Sequence, residues 1–219
     1  MGVEEYICGI VSGGDKAPLD GIDECNLIIA CDRGYTHLSE EGITADLFVG
    51  DFDSCDEVTL DNIPRLELEK EKDDTDTLAA IRFALGQGIT QLRMYCCFGG
   101  RTDHFLGNVQ AAAFAASKGV KVSMCDENTE MYFLNSGSIT VEKREGYSLS
   151  LLSVSDSASG VWIEGAKYPL SDRTITNLFP IGISNEWIDD VTITVKSGVI
   201  VVMCCKLTDG GAHEDHSLR

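Results

Sequence analysis

Short apolar runs alternate with polar, turn-forming stretches through the first half of the chain, and the apolar spacing switches between two periods. Short apolar runs at 6–11, 26–31, 47–49, 91–98 and 121–125 are candidate β-strands. Between them, 34–41, 75–86 and 104–118 carry apolar residues at helical spacing, with Leu78, Ile81, Phe83 and Leu85 as the clearest set. Such alternation implies crossover units and a parallel sheet, where ligands bind beyond the carboxyl ends of the strands. The loops at that edge are therefore the ones to inspect for chemistry.

The pattern changes after about Asn128. Runs at 130–134, 138–141, 148–154, 160–163, 191–195 and 199–204 are short and rich in Val, Ile and Thr. Asn135-Ser136-Gly137, Glu145-Gly146 and Ser197-Gly198 separate them as turns, and no helical period is present. The expected fold class is α/β: an N-terminal parallel-sheet domain at 1–127, then a C-terminal antiparallel β-sandwich domain at 128–209. The polar residues 210–219 read as a flexible tail.

Charge narrows the function classes. Acids outnumber bases by 36 to 17, a formal charge of −19, which repels nucleic acid and anionic membranes. An acidic protein that handles phosphate needs a divalent cation between the two. No apolar run approaches the roughly 20 residues of a membrane span. The start, MGVEEYICGI, has no basic cluster of the kind that opens a signal peptide, so the expected compartment is the cytoplasm. The nine cysteines include no Cys-x-x-Cys pair, and their apolar contexts predict buried thiols rather than disulfides or a zinc site.

Candidate chemistry gathers where predicted strands end. Ser12-Gly13-Gly14, Asp32-Arg33-Gly34, Gly50-Asp51-Phe52-Asp53-Ser54 and Gly99-Gly100-Arg101-Thr102-Asp103-His104 each follow a strand, and Lys72-Asp73-Asp74-Thr75-Asp76 opens a helix. Each has a structural reading of its own: paired glycines make turns, and Asp or Thr at a helix start caps free N–H groups. Together they make a different case. Asp51 and Asp53, two apart in an extended segment, point to one side, and adjacent carboxylates are most easily held around a cation. A few hard oxygen ligands with room for water and phosphate suit Mg²⁺. Asp32, Asp76 and Asp103 add charge at the same edge, and Arg101 supplies a clamp for a phosphate oxygen.

These residues carry a resemblance. Gly50-Asp51-Phe52-Asp53-Ser54, Asp73-Asp74-Thr75-Asp76 and Gly99-Gly100-Arg101-Thr102-Asp103-His104 with Asn108 resemble, in order and spacing, the signature blocks of the bacterial thiamine pyrophosphokinase family. Lys167-Tyr168-Pro169-Leu170 and Gly182-Ile183-Ser184-Asn185-Glu186-Trp187 resemble the two motifs of that family's thiamine-binding domain, so the likeness runs from about residue 5 to 205. It implies an ATP-binding α/β domain, a thiamine-binding sandwich, and a homodimer with active sites between subunits. It implies transfer of pyrophosphate from ATP to the thiamine hydroxyl, giving thiamine diphosphate and AMP. By the same resemblance Asp51, Asp53 and Asp76 handle Mg²⁺ and the phosphates, Arg101 and Asp103 sit beside the triphosphate, and Asp32, Lys72, Thr75, Gly99, Gly100 and Asn108 serve the nucleotide. Tyr168 of the partner chain stacks on thiamine, with Ser184 and Asn185 close by. Some relatives carry Trp where this chain has Tyr168, whose ring still offers a flat π face.

Three other functions fit the acidic patches: a pyrophosphokinase or nucleotidyltransferase with another acceptor, a nucleotide-and-metal sensor without catalysis, and a metal-dependent phosphohydrolase. A silent sensor has no need to retain Asp51, Asp53, Asp76 and Asp103 together. A hydrolase gains nothing from Tyr168 and Ser184-Asn185. Asp76 reads equally as metal ligand and as acceptor of the hydroxyl proton.

Overall fold

The computed structural model describes residues 5–50, 63–66 and 74–207. Five apolar residues buried along their whole length make β1 (Ile7–Val11) the centre of a parallel sheet. It is flanked by β2 (Leu27–Cys31), β3 (Leu47–Val49) and β4 (Arg65–Leu66) on one side, and by β5 (Gln91–Tyr95) and β6 (Lys121–Cys125) on the other. Neighbouring strands from β4 to β6 are parallel throughout. Successive side chains serve opposite faces, as strand geometry requires. Cys8, Ile10, Leu92 and Met94 pack with α2 (Asp76–Gly86) and α3 (Thr102–Ser117), whereas Val11 and Tyr95 pack with Leu38 of α1 (Gly34–Glu40) and with Ile22.

The strand order places the site. From β1 the chain builds outward to β2, β3 and β4, then returns to add β5 and β6 on β1's other flank. The order reverses between β1 and β5, and the crevice at the carboxyl ends of those two strands is where doubly wound sheets take ligands.

The second half continues the same sheet in the antiparallel sense. β7 (Thr129–Val141) pairs β6, and β11 (Trp187–Lys206) lies beside β7. β8 (Tyr147–Ser153), β9 (Ser157–Ala166) and β10 (Leu170–Thr176) complete the fold. The first part of β11 pairs β9 and its last part, from Ile200, pairs β8, so the sheet folds over a second core of Leu149, Leu151, Val161, Ile163, Val191 and Val202. The predicted α/β half and antiparallel sandwich are both present. Met131, Phe133, Val199 and Val201 belong to the first core, so the two halves are welded rather than tethered.

Several predicted boundaries need correction. Residues 130–134 and 138–141 are one strand, and so are 191–195 and 199–204, because Ser136-Gly137 and Lys196-Ser197-Gly198 do not reverse the chain. Val195 pairs Gly137 and Val199 pairs Asn135, so the two irregular stretches face each other and bend the ribbon together. Gly137 and Gly198 take φ of 101° and 91°, which gives them the look of turn residues. The predicted run 91–98 stops as a strand at Tyr95, since Cys96 turns left-handed with φ 52°. The predicted tail, 210–219, lies outside the described residues.

Candidate active site

Beyond the strand ends, the β1 and β5 loops remain zipped together. Ser12 N donates to Tyr95 O at 3.0 Å, Gly14 N to Cys96 O at 2.8 Å, and Asp15 N to Phe98 O at 2.8 Å. This approach leaves no room for a side chain at Gly14, where a Cβ would stand 2.4 Å from Phe98 O and 2.5 Å from Cys96 O. On the other flank α1 begins so close to β1 that a Cβ on Gly34 would lie 1.9 Å from Val11 O. Gly99 and Gly100 then turn consecutively left-handed, with φ of 71° and 61°, and deliver the chain to the start of α3.

These loops enclose a cavity of about 430 Å³ at the switch point. It gathers Asp32, Thr75, Asp76, Gly99, Gly100, Arg101 and Asn108, all singled out from sequence, together with Ser12, Arg33, Asp74, Thr77, Cys97 and Phe105. Asp32 reaches it through a left-handed backbone (φ 47°) uncommon for a residue with a side chain, and its N–H donates to Val49 O at 3.1 Å. Asp76 is the first residue of α2, with Thr75 as N-cap, its hydroxyl accepting from Leu78 N at 3.2 Å. Thr75 thus has a structural duty in the chain. Asp51, Asp53 and Lys72 lie outside the described residues.

The Arg101 guanidinium meets Asp103 in a fork, Nε to Oδ1 at 3.1 Å and Nη2 to Oδ2 at 2.6 Å. That pairing holds the Asp103 carboxyl below the usual carboxylate range. Both side chains are exposed, so the pair is readily exchanged for a better partner such as a phosphate oxygen. Asn108 spends its amide N–H on Cys97 O at 3.1 Å, tying α3 to the β5 loop.

The floor was legible only at Ser12, which opens the first glycine patch; Thr77 and Cys97 were not. Ser12 Oγ and Thr77 Oγ1 are 3.1 Å apart, and the Cys97 thiol donates to Ser12 Oγ at 3.4 Å. Ser12 and Thr77 are buried. Burial pushes the Cys97 thiol up to about 12 and Cys31 well above its usual value, so both remain neutral. His37, also buried, has Nε2 3.0 Å from Gly14 O and braces the glycine loop from α1. The one signal for Thr77 in the sequence was a hydroxyl on the apolar face of α2. The eight cysteines among the described residues are free, as expected from their spacing.

A larger hollow of about 580 Å³ lies at the opposite end of the sheet, against Gln91, Lys121 and the middle of β7. Among the described residues its only charged lining is Lys121, in contrast to the carboxylates and guanidinium groups of the switch-point crevice.

In the antiparallel half, Tyr168 stands largely exposed just before β10. Lys167 Nζ lies 5.5 Å from its ring centroid and is held by Glu186 at 2.8 Å. Asn185 is buried beneath, and Ser184 adopts φ 56° with its N–H on Ser150 Oγ at 3.0 Å. None of Tyr168, Ser184 and Asn185 lines the cavity of its own chain. Among the described residues no group of three or more His, Cys, Asp or Glu side chains is ready to hold a metal, and no helix is long and apolar enough to cross a membrane.

Fold and crevice together define a class: a doubly wound α/β protein with a polar, charged crevice at its switch point, continued into an antiparallel module bearing an exposed aromatic. Comparison with known proteins narrows it. Residues 20–124 match the family model of the thiamin pyrophosphokinase catalytic domain, and residues 137–200 that of the thiamin pyrophosphokinase vitamin B1 binding domain. The thiamine pyrophosphokinase of Bacillus subtilis (strain 168) is 31% identical over 205 residues, spanning 89% of this chain and 96% of that protein. A crystal structure of thiamine pyrophosphokinase from Bacillus subtilis superposes with a TM-score of 0.80 at 28% identity, covering 92% of this chain and 99% of that one. That of Geobacillus thermodenitrificans gives 0.78 at 26% identity, covering 95% and 100%. The chain belongs to the thiamine pyrophosphokinase family.

Proposed function

We propose that this chain transfers the terminal pyrophosphoryl group of ATP to the hydroxyl of thiamine, releasing AMP. The observation that carries the reading is the switch-point cavity, where Asp32 and Asp76 stand with Arg33, Arg101 and the starts of α2 and α3. Helix starts and the left-handed Gly99-Gly100 turn point main-chain N–H groups outward, which suits phosphate oxygens. The carboxylates would repel a triphosphate unless a cation stood between them, and a sparse set of hard oxygen ligands fits Mg²⁺. Asp51, Asp53 and Asp76 would hold that ion, which when bound neutralises charge on the phosphate oxygens.

The chain's own part is positioning and electrostatics. The thiamine oxygen forms a bond to the β-phosphorus as the bond from that phosphorus to the α,β-bridging oxygen breaks, and AMP departs with the bridging oxygen. Asp76, or solvent, takes the hydroxyl proton. Arg101 leaves Asp103 and forks onto a phosphate oxygen. Arg101→Lys keeps the charge but loses the two-pronged geometry. It is expected to lower kcat about ten- to a hundredfold with an unchanged melting temperature. Wild-type kinetics would remove Arg101 from the site.

The acceptor side belongs to a second copy in this reading. Its support is that Tyr168, Ser184 and Asn185 do not line the nucleotide cavity of their own chain. A homodimer in which each chain's Tyr168 covers the other's crevice would complete both sites. The net charge of −19 and the free, buried or partly buried thiols of the described residues fit a cytoplasmic enzyme that binds neither nucleic acid nor membrane.

Two experiments separate the readings. AMP release from ATP should require thiamine; release into water alone would identify a phosphohydrolase. For the shared site, Asp53→Asn and Tyr168→Ala chains are mixed and assayed at thiamine concentrations far below the KM of Tyr168→Ala. Once mass spectrometry shows subunit exchange, activity should exceed the sum of the parents several-fold, since each mixed dimer holds one intact site. No gain after exchange would mean that each chain builds its own site.

A further inference from the structure

We infer that Asn185 is a positioning residue: it clamps the main chain of Tyr168 into place for the acceptor and does not itself touch the acceptor. The inference rests on the proposed thiamine site and assigns this buried amide a role within it. Asn185 Oδ1 accepts from Tyr168 N at 3.0 Å and from Glu186 N at 3.0 Å, while Nδ2 donates to Tyr168 O at 2.8 Å. Three of the four hydrogen-bonding positions of the amide are thereby taken by main chain. Asn185 is only 4% exposed, whereas the Tyr168 residue it holds is 56% exposed.

The clamp is itself anchored. Asn185 N donates to Leu149 O at 2.7 Å and Leu149 N donates to Asn185 O at 3.1 Å, and Leu149 is a fully buried member of the second core. A line of short contacts thus runs from that core through Asn185 to the one exposed aromatic of the Lys-Tyr-Pro-Leu turn. Lys167 N to Glu186 O at 2.9 Å and the Lys167–Glu186 ion pair form a second strap on the same turn. A ring held this way meets its ligand without first being ordered, which is the benefit of preorganisation.

The chemistry of the clamp is specific. Tyr168 presents both a donor and an acceptor, so its partner must offer an acceptor and a donor on one short planar group. Asn does so; Ala offers neither, and a carboxylate sets an oxygen against Tyr168 O. This predicts an unusual ranking. Asn185→Ala and Asn185→Asp should each raise the KM for thiamine about tenfold with the KM for ATP unchanged. Direct contact with the cationic acceptor would instead let Asn185→Asp keep or improve thiamine binding, which overturns the inference.

The decisive readout is a double-mutant cycle with Tyr168→Ala. If Asn185 acts through Tyr168, the double variant has the thiamine KM of Tyr168→Ala alone; multiplying effects overturn the clamp. If Asn185→Ala does not fold, the more exposed Glu186→Gln loosens the second strap and must show the same dependence on Tyr168. Amide hydrogen exchange at Tyr168 distinguishes failure of the clamp from failure of the acceptor reading. Slow exchange in the wild type that becomes fast in Asn185→Ala supports the clamp; fast exchange in the wild type overturns it. Slow exchange with a thiamine KM indifferent to Tyr168→Ala overturns the functional role and counts against the acceptor site as well.

Discussion

Gly34→Ala is expected to cost this protein about 3 kcal/mol or more of stability, because the new methyl would stand 1.9 Å from Val11 O with β1 buried along its length. Nothing there is the far end of a flexible side chain; the obstacle is main chain at the centre of the sheet. For a chain of this size the melting temperature should fall by roughly 10 °C. Gly107→Ala, inside α3 with nothing among the described residues within 4 Å of the added Cβ, is the matched control and should be neutral or slightly stabilising. Equal melting of both variants and the wild type would show that α1 does not press on β1 as described. The point bears on function, because the same close approach shapes the wall of the crevice at Asp32 and Arg33.

The larger effect on catalysis is expected at Asp53. On the proposed reading, in which Asp53 helps to hold Mg²⁺, Asp53→Asn should lower turnover about 10²- to 10⁴-fold while leaving the melting temperature alone, since it removes the charge and keeps the shape. Asp51→Asn should do the same. Chelation of the wild type with EDTA should abolish activity, and added Mg²⁺ should restore it. Full turnover in chelator, or near-wild-type rates in Asp53→Asn, would contradict a cation-bridged site.

The parallel half was legible because its strands are short, mostly apolar runs and its helices carry a clear period: 6–11 became Ile7–Val11, and 104–118 became Thr102–Ser117. The antiparallel half was legible in kind but not in count. β10 carries no strand signal in the sequence because only Leu170 and Ile175 turn inward while Ser171, Asp172, Arg173 and Thr174 are exposed, which leaves too few apolar positions to show a period. Gly137 and Gly198 mimicked turns because a bend in a paired ribbon demands the same backbone freedom as a reversal.

At the site, the glycines, Asp32, Asp76 and Arg101 were readable because each follows a strand or opens a helix. Ser12 was readable in the same way, but its partners Thr77 and Cys97 were not, since they lie 65 and 85 residues from it in sequence and only the sheet order brings them together. The two-way bond between Asn185 and Tyr168 spans 17 residues and depends on the path of β8 beneath it. Sequence marked the motif; only the fold shows which of its residues faces outward.

The most direct test follows the phosphorus atoms. The protein is incubated with thiamine, Mg²⁺ and ATP labelled at the α- or the γ-phosphate, and the products are separated. Pyrophosphoryl transfer predicts that the γ label appears in thiamine diphosphate and the α label in AMP, in equal amounts. Label in thiamine monophosphate with ADP as co-product, or α label attached to thiamine, would contradict attack at the β-phosphorus and with it the account of the switch-point site.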